Sequence, residues 1–174
     1  KDKMFASLGR QPLLARVIGV FQKCEVVDRI VVVLSQANLE RGRQLVAEYK
    51  WSKVSDVCPG GQRRQDSVKR GLDRLGYCDW VVVHDGARPL VTEELIEQGL
   101  VAAADTGAAV AAVPVTDTVK VADKKQMVLK TLDRQGLWAV QTPQVFRFAI
   151  IAEAYRYARD DVTDDAMLVE KLGC

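Results

Sequence analysis

Metal and redox motifs are missing from this chain: it has one histidine, His84, and four cysteines that never pair up. Cys24, Cys58, Cys78 and Cys174 stand far apart, which excludes the close spacing of a zinc knuckle or a dithiol redox centre. Scattered free thiols in a core-forming chain fit a reducing compartment, and burial is the expected fate of each. Net charge is also small. Lysine and arginine number 25 against 23 aspartates and glutamates, leaving +2, too little to argue for nucleic acid or an anionic membrane. No apolar run approaches membrane-spanning length, and no signal-peptide pattern is visible. No Gly-x-Gly-x-x-Gly follows any apolar run, so the dinucleotide fingerprint of a dehydrogenase is missing. Internal repeats and low-complexity stretches are absent as well.

What is present is ordinary for a soluble globular domain: 48% hydrophobic and 28% charged residues in a chain of 174, enough for one domain with a substantial core. Leu13, Leu14, Val17, Ile18 and Phe21 form a helical apolar stripe. A chain that opens on a helix, with later strands needing neighbours, points to a further N-terminal strand. Ile30–Leu34 is an apolar strand, and residues 37–50 carry Leu39, Leu45, Val46 and Tyr49 at helical spacing. A short strand near 53–57 leads to Pro59-Gly60-Gly61, and a helix follows over about 64–75. A strand at 79–84, a helix near 92–105 and an alanine-valine strand at 108–115 continue the alternation. This β-α-β-α rhythm predicts a Rossmann-like α/β domain of three layers with a mostly parallel, doubly wound sheet.

Residues 116–141 break that rhythm. Val119 and Val121, then Met127, Leu129 and Leu132, alternate with polar residues on either side of the turn Asp123-Lys124-Lys125-Gln126. This reads as a two-stranded antiparallel arm. Two strands cannot bury their own apolar side in water, so the arm needs a partner, and a second copy of the chain is the simplest one. Folding back on its own domain is the alternative. Beyond it, Trp138–Gln141 resumes a strand that Thr142-Pro143 ends, Phe148–Arg159 is an amphipathic helix, and Val162-Thr163-Asp164-Asp165 resembles a helix start capped by Thr163.

Two stretches carry chemistry. Trp80-Val-Val-Val83 has the apolar, β-branched pattern of a strand buried on both faces, and its polarity reverses at His84-Asp85-Gly86-Ala87-Arg88-Pro89. Carboxyl ends of strands line the ligand crevice of an open α/β sheet. There a carboxylate and a guanidinium three residues apart can hold a metal ion and an anion side by side. The plainer alternative is that Asp85 tightens a turn and caps the next helix. In Gly60-Gly61-Gln62-Arg63-Arg64-Gln65-Asp66-Ser67 two glycines precede a helix. Amides at a helix N-terminus favour anions, glycines admit a close ligand, and Arg64 and Ser67 share a helical face. A Gly-rich turn with a solvated arginine pair is the competing reading. Lys3, Asp85, Arg88, Thr118 and Arg134 complete a candidate site of the kind nucleotidyl transfer requires, with cations around developing negative charge and a carboxylate for Mg²⁺.

The segments at 60–68, 84–89, Pro-Val-Thr-Asp-Thr-Val-Lys at 114–120, Asp-Arg-Gln-Gly-Leu-Trp at 133–138, Gln-Thr-Pro-Gln at 141–144 and Thr-Asp-Asp-Ala at 163–166 resemble the 2-C-methyl-D-erythritol 4-phosphate cytidylyltransferases of non-mevalonate isoprenoid synthesis. The resemblance spans essentially the whole chain. It implies a homodimeric, magnesium-dependent enzyme of the bacterial cytoplasm, or of the plastid stroma in a plant. Such an enzyme joins CTP and methylerythritol phosphate and releases pyrophosphate.

Carried over by position, Lys3 lies beside the CTP phosphates, and Gly60, Gly61, Arg64 and Ser67 form the nucleotide segment, with Gly61 and Ser67 meeting cytosine. Asp85 serves Mg²⁺–CTP and Arg88 supports its turn. Thr118 and Arg134 reach the methylerythritol phosphate bound by the other subunit, and Thr142 and Thr163 are further substrate-side positions. The family's Gly-rich phosphate loop would precede Lys3, a second motif lysine would follow Cys174, and Arg159-Asp160-Asp161 is short for the family.

By this reading the acceptor phosphate attacks the α-phosphorus of CTP in line, without a covalent enzyme intermediate. His84 is a structural neighbour of Asp85. Two rivals remain. A ribitol 5-phosphate cytidylyltransferase keeps the chemistry and changes the acceptor. A receiver domain would use Asp85 as phospho-acceptor, but it would need an acidic pair after its first strand, which is not visible.

Overall fold

The computed structural model describes residues 3–158 and 161–173; Cys174 and the Arg159-Asp160 pair lie outside these described residues. A 3-10 turn at Lys3–Phe5 and a small hairpin, β1 (Ser7–Leu8) with β2 (Gln11–Pro12), lead into α1 (Leu13–Lys23). Its expected stripe is the buried one: Leu14, Val17, Ile18 and Phe21 face inward. Strand β3 (Ile30–Leu34), α2 (Leu39–Tyr49) and β4 (Val54–Pro59) follow, with β3 and β4 paired in parallel. Next come α3 (Arg64–Leu75), β5 (Trp80–Val83), α4 (Glu93–Thr106) and β6 (Ala108–Pro114).

Alternate residues of β3 face opposite helices. Val32 and Leu34 pack with Leu14, Ile18, Leu39 and Leu45 of α1 and α2, whereas Val33 lies against Gly71 of α3, where an added Cβ would be 3.2 Å from it. Strand β5 behaves likewise, with Val81 packed beside Leu72 of α3 and Val82 toward α1 and α4. Helices therefore cover both faces of the strands, the three-layer α/β arrangement that the alternation foretells.

The pairing departs from expectation after β6. The arm strands β7 (Lys120–Ala122) and β8 (Val128–Thr131) pair with each other, turning through Asp123–Gln126. Strand β9 (Trp138–Arg147) does not stop at Thr142-Pro143. It runs ten residues through that cis peptide bond and lies antiparallel between β5 and β6. Its buried second half, with Phe146 and Val145 in the core, supplies the apolar contacts that carry the strand past the proline. Strands β5 and β6 are thus parallel to each other only through an antiparallel neighbour.

The C-terminal helices also shift. Helix α5 spans Phe148–Tyr157, and α6 spans only Ala166–Glu170. Thr163 does not cap it; Asp165 stands at the N-cap without a side-chain cap bond, and Asp164 Oδ1 accepts from the Met167 amide at 3.0 Å. Helices α5 and α6 pack Ile151, Tyr155 and Leu168 against Phe146 and Val81.

Among the described residues β3 bonds only to β4, and β5 only to β9. Between them runs an apolar cleft of about 690 Å³ lined by both strands and by α1. No helix in the described residues is long and apolar enough to cross a membrane.

Candidate active site

The apolar strand β5 ends at Val83, and the next five residues make the turn on which the site is built. The Arg88 amide donates to the Asp85 carbonyl at 2.9 Å, closing the turn. Both carboxylate oxygens of Asp85 are engaged: Oδ2 accepts from Arg88 Nε at 3.0 Å and Oδ1 from Arg64 Nε at 3.2 Å. Burial raises the Asp85 carboxyl, but the hydrogen bonds and charges of Arg88 and Arg64 outweigh it and hold the group below the usual carboxylate range. This is no simple turn-tightening aspartate. It is an ionised acid gripped by two arginines at a strand end.

Arg64 is the first residue of α3, and its guanidinium spans two carboxylates. Nη1 donates to Asp165 Oδ2 at 2.7 Å while Nε reaches Asp85. Asp165 is fully buried and also accepts from the Tyr155 hydroxyl. Burial and the adjacent Asp165 push the Tyr155 phenol well above its ordinary range, so it stays a protonated donor. Sequence reading missed Asp165 and Tyr155. Their only signal is an acid placed directly before the apolar run Ala166–Val169.

The competing reading of a solvated arginine pair holds only in part, since Arg63 is exposed while Arg64 is turned inward. Arg63 bonds Asp66 and Asp161, and together with Asp66 makes the capping box of α3.

The glycines serve local packing. The Gly61 amide donates to Ser67 Oγ at 3.1 Å, and that hydroxyl donates to the Arg63 carbonyl at 3.2 Å. A Cβ on Gly60 would sit 2.6 Å from Ser67 Oγ, and one on Gly61 would overlap Asp66 Cβ. Glycine is needed here for the close approach of the loop to the first turn of α3. Gly61→Ala is expected to displace that turn and to cost about 1–3 kcal/mol of stability, the scale of overpacking. Urea midpoints check this.

Arg64, Ser67, His84 and Asp85 line a pocket of about 240 Å³ together with Val31, Val33 and Leu72. Lys3 is exposed. Its neighbour Met4 packs on the site turn, where a Cβ on Gly86 would be 2.8 Å from Met4 Sδ.

Thr142, on β9, is 9% exposed. Its hydroxyl lies 3.2 Å from the Asp85 amide and 3.0 Å from His84 Nδ1. His84 is half-buried, and burial pushes its imidazole below the ordinary value against the opposing pull of the Arg88 carbonyl and Asp85. Both of its ring nitrogens lie within hydrogen-bond distance of protein groups.

The remaining candidates are not gathered into this cluster. Thr118 and Arg134 are exposed at the base of the arm, where Arg134 donates to the Thr116 carbonyl. Thr163 is exposed and touches Met167 Sδ at 4.0 Å.

No three metal-ligating side chains converge among the described residues. A divalent cation at this rim would take one protein carboxylate, Asp85, and its other ligands from phosphate and water. That is the usual condition of magnesium at nucleotide sites, and the residues present fit it. Among the described residues, Cys24 and Cys58 are buried and Cys78 is partly so, and burial raises all three thiols.

Residues 1–174 match the profile of the family described as IspD, 2-C-methyl-D-erythritol 4-phosphate cytidylyltransferase. The chain belongs to this family. It is 52% identical over 172 residues to the 2-C-methyl-D-erythritol 4-phosphate cytidylyltransferase of Dehalococcoides mccartyi, covering 99% of this chain and 76% of the relative. The corresponding figure for the Geobacillus kaustophilus enzyme of that name is 43% over 175 residues, with the same coverage. The crystal structure of the Thermus thermophilus cytidylyltransferase superposes with a TM-score of 0.82 at 33% identity, covering 98% of this chain and 79% of that one. The Anaerococcus prevotii 4-diphosphocytidyl-2C-methyl-D-erythritol synthase reaches 0.86 at 27% identity, with 96% and 74% covered. As a member of this family the chain is a nucleotidyltransferase with its Rossmann-like fold, and neither the receiver-domain nor the ribitol phosphate reading is favoured.

Proposed function

We propose that the rim formed by Asp85, Arg64, Arg88 and the Gly60–Ser67 loop is where CTP is held for transfer of its cytidylyl group to 2-C-methyl-D-erythritol 4-phosphate. An oxygen of the acceptor phosphate bonds to the α-phosphorus of CTP, the bond to the bridging oxygen breaks, and pyrophosphate leaves. Two anions must meet, so charge neutralisation and alignment supply the acceleration. The observation that carries this reading is the Asp85 carboxylate fixed between two arginines at the end of β5, in a chain of this family. Magnesium bound with the triphosphate supplies further neutralisation, with Asp85 as the residue that would hold it. Lys3 balances charge at the α-phosphate. The Gly61 and Ser67 segment meets the cytosine, and Thr163 lies on the acceptor side.

The chain works as a homodimer in the cytoplasm, through the arm. Every residue of β8 is exposed, and Met127, Val128, Leu129 and, at the start of β9, Trp138 are each at least 60% exposed, apolar side chains that a two-stranded ribbon cannot cover alone. Thr118 and Arg134 at its base are exposed and distant in bonding from Asp85. That disposition suits delivery of both to the site of the partner subunit, where they grip the incoming phosphate.

Offering methylerythritol phosphate and ribitol 5-phosphate separately, with CTP and magnesium, tests the acceptor. Pyrophosphate release is expected with the first at least tenfold faster than with the second, because a site built to hydrogen-bond one acceptor rejects a misfit strongly. Equal rates, or turnover of ribitol phosphate alone, would refute the assignment.

A further inference from the structure

We infer that His84 and Thr142 are positioning residues: a neutral imidazole with its proton on Nε2 and the threonine hydroxyl together tie both ends of the Asp85–Arg88 turn, fixing the direction in which the Asp85 carboxylate points. The kinetic arm of the test rests on the function proposed above; the spectroscopic arm does not.

The assignment follows from counting donors and acceptors. The Arg88 carbonyl can only accept, so His84 Nε2, 3.0 Å away, must carry the proton. The Asp85 amide can only donate, so Thr142 Oγ1, at 3.2 Å, accepts from it. Between Oγ1 and His84 Nδ1, at 3.0 Å, one proton is available. If the hydroxyl donates it to a bare Nδ1, every group in the chain is satisfied once. If the ring carried both protons, the hydroxyl would accept twice and its own proton would have no partner. The neutral Nε2–H tautomer is therefore the one this arrangement selects.

The two tethered groups are the opening amide and the closing carbonyl of one four-residue turn, which is also closed internally by the Arg88 amide on the Asp85 carbonyl. Thr142 reaches the Asp85 amide from β9, 57 residues along the chain. The Phe21 ring, its centroid 5.4 Å from that of the imidazole, packs against it and restricts its rotation. The hydroxyl proton of Thr142 and one of its two lone pairs are thus used inside the protein. Through them Thr142 acts on the Asp85 turn.

His84 is the only histidine in these 174 residues. In uniformly ¹⁵N-labelled protein its ring nitrogens can be read by long-range ¹⁵N–¹H correlation, with the signals assigned by their loss in H84Q. The expected pattern is a pyrrole-like Nε2, coupled strongly to both ring protons, and a pyridine-like Nδ1. In T142V the Nδ1 resonance should move further toward the free pyridine-like position, and exchange of the Asp85 amide should quicken by roughly tenfold, as expected for loss of a single part-buried hydrogen bond.

In turnover with CTP and methylerythritol phosphate, T142V should lose roughly tenfold or more in kcat while the KM for the acceptor stays within about twofold, the signature of a misaligned group rather than a lost contact. T142S, which keeps the hydroxyl, should recover most of that loss. A proton on Nδ1, or on both nitrogens, overturns the assignment. So does a T142V protein whose KM for the acceptor rises while the His84 and Asp85 signals stay put, since that is the behaviour of a substrate contact. Should T142V fail to fold, the tautomer in the unmodified protein still decides. Should the unmodified protein transfer no cytidylyl group at all, the proposed function fails, and the tautomer and amide exchange still judge this clamp.

Discussion

Arg64→Ala is expected to lower stability by about 3–5 kcal/mol, the usual effect of removing one partner from a buried ion pair, and to leave little or no cytidylyl transfer. The size follows from where the guanidinium sits. Asp165 has no exposed surface, and with Arg64 gone its carboxylate would keep only the Tyr155 hydroxyl. A buried charge without its counter-ion is among the few single changes that reach this scale. Asp85 loses its grip on Oδ1 at the same time and swings on Arg88 alone.

The two effects separate in a double substitution. Arg64→Ala with Asp165→Asn removes the stranded charge and should regain about 1–3 kcal/mol, while activity stays lost because Asp85 is still held by Arg88 alone. Arg64→Lys should fall between, since a single ammonium cannot span two carboxylates as the planar fork does. Urea midpoints at constant slope measure the first effect, and pyrophosphate release measures the second. An Arg64→Ala protein as stable as the parent would mean that Asp165 does not depend on this pair.

Asp85→Ala and Arg134→Ala proteins should each be inactive alone, yet regain roughly a quarter of the parent activity after subunit exchange at equal amounts. Half of randomly mixed dimers carry one chain of each kind. If the arm serves its partner, one of the two sites in such a dimer has both Asp85 and Arg134. If instead Arg134 served the Asp85 of its own chain, no site in any mixed dimer would be complete, and mixing would restore nothing. The exposed apolar residues Met127, Val128 and Leu129 and the exposed position of Arg134 make the shared site the expected outcome.

Local pattern made much of this molecule legible before any coordinates. The 3.6-residue stripe of α1, the Gly-Gly start of α3 at Arg64 and the apolar runs of β3 and β5 stand where expected, because each is decided by neighbours a few residues away. Strand β9 was not legible in full. Thr142-Pro143 reads as a stop, and only burial of Val145 and Phe146 between β5 and β6 explains why the strand continues. Thr163 likewise reads as a helix cap, but Asp165 is drawn inward by Arg64, 101 residues away, and itself stands at the N-cap, so the helix begins later. The same distance hid the part of the site that Asp165 and Tyr155 make. Asp85 and Arg88 were readable because three residues separate them on one turn. The ion pairs that orient them were not, since spacing carries no record of contacts made across the sheet.

A crystal soaked with CTP and magnesium tests the central claim most directly, that the rim at the end of β5 brings a nucleotide's phosphates and an acceptor phosphate together. The account predicts the triphosphate within hydrogen-bond or metal-bridged reach of Asp85, with the base against the Gly61–Ser67 segment. A triphosphate bound elsewhere, with Asp85 still locked between Arg64 and Arg88 and untouched by phosphate or metal, would contradict it.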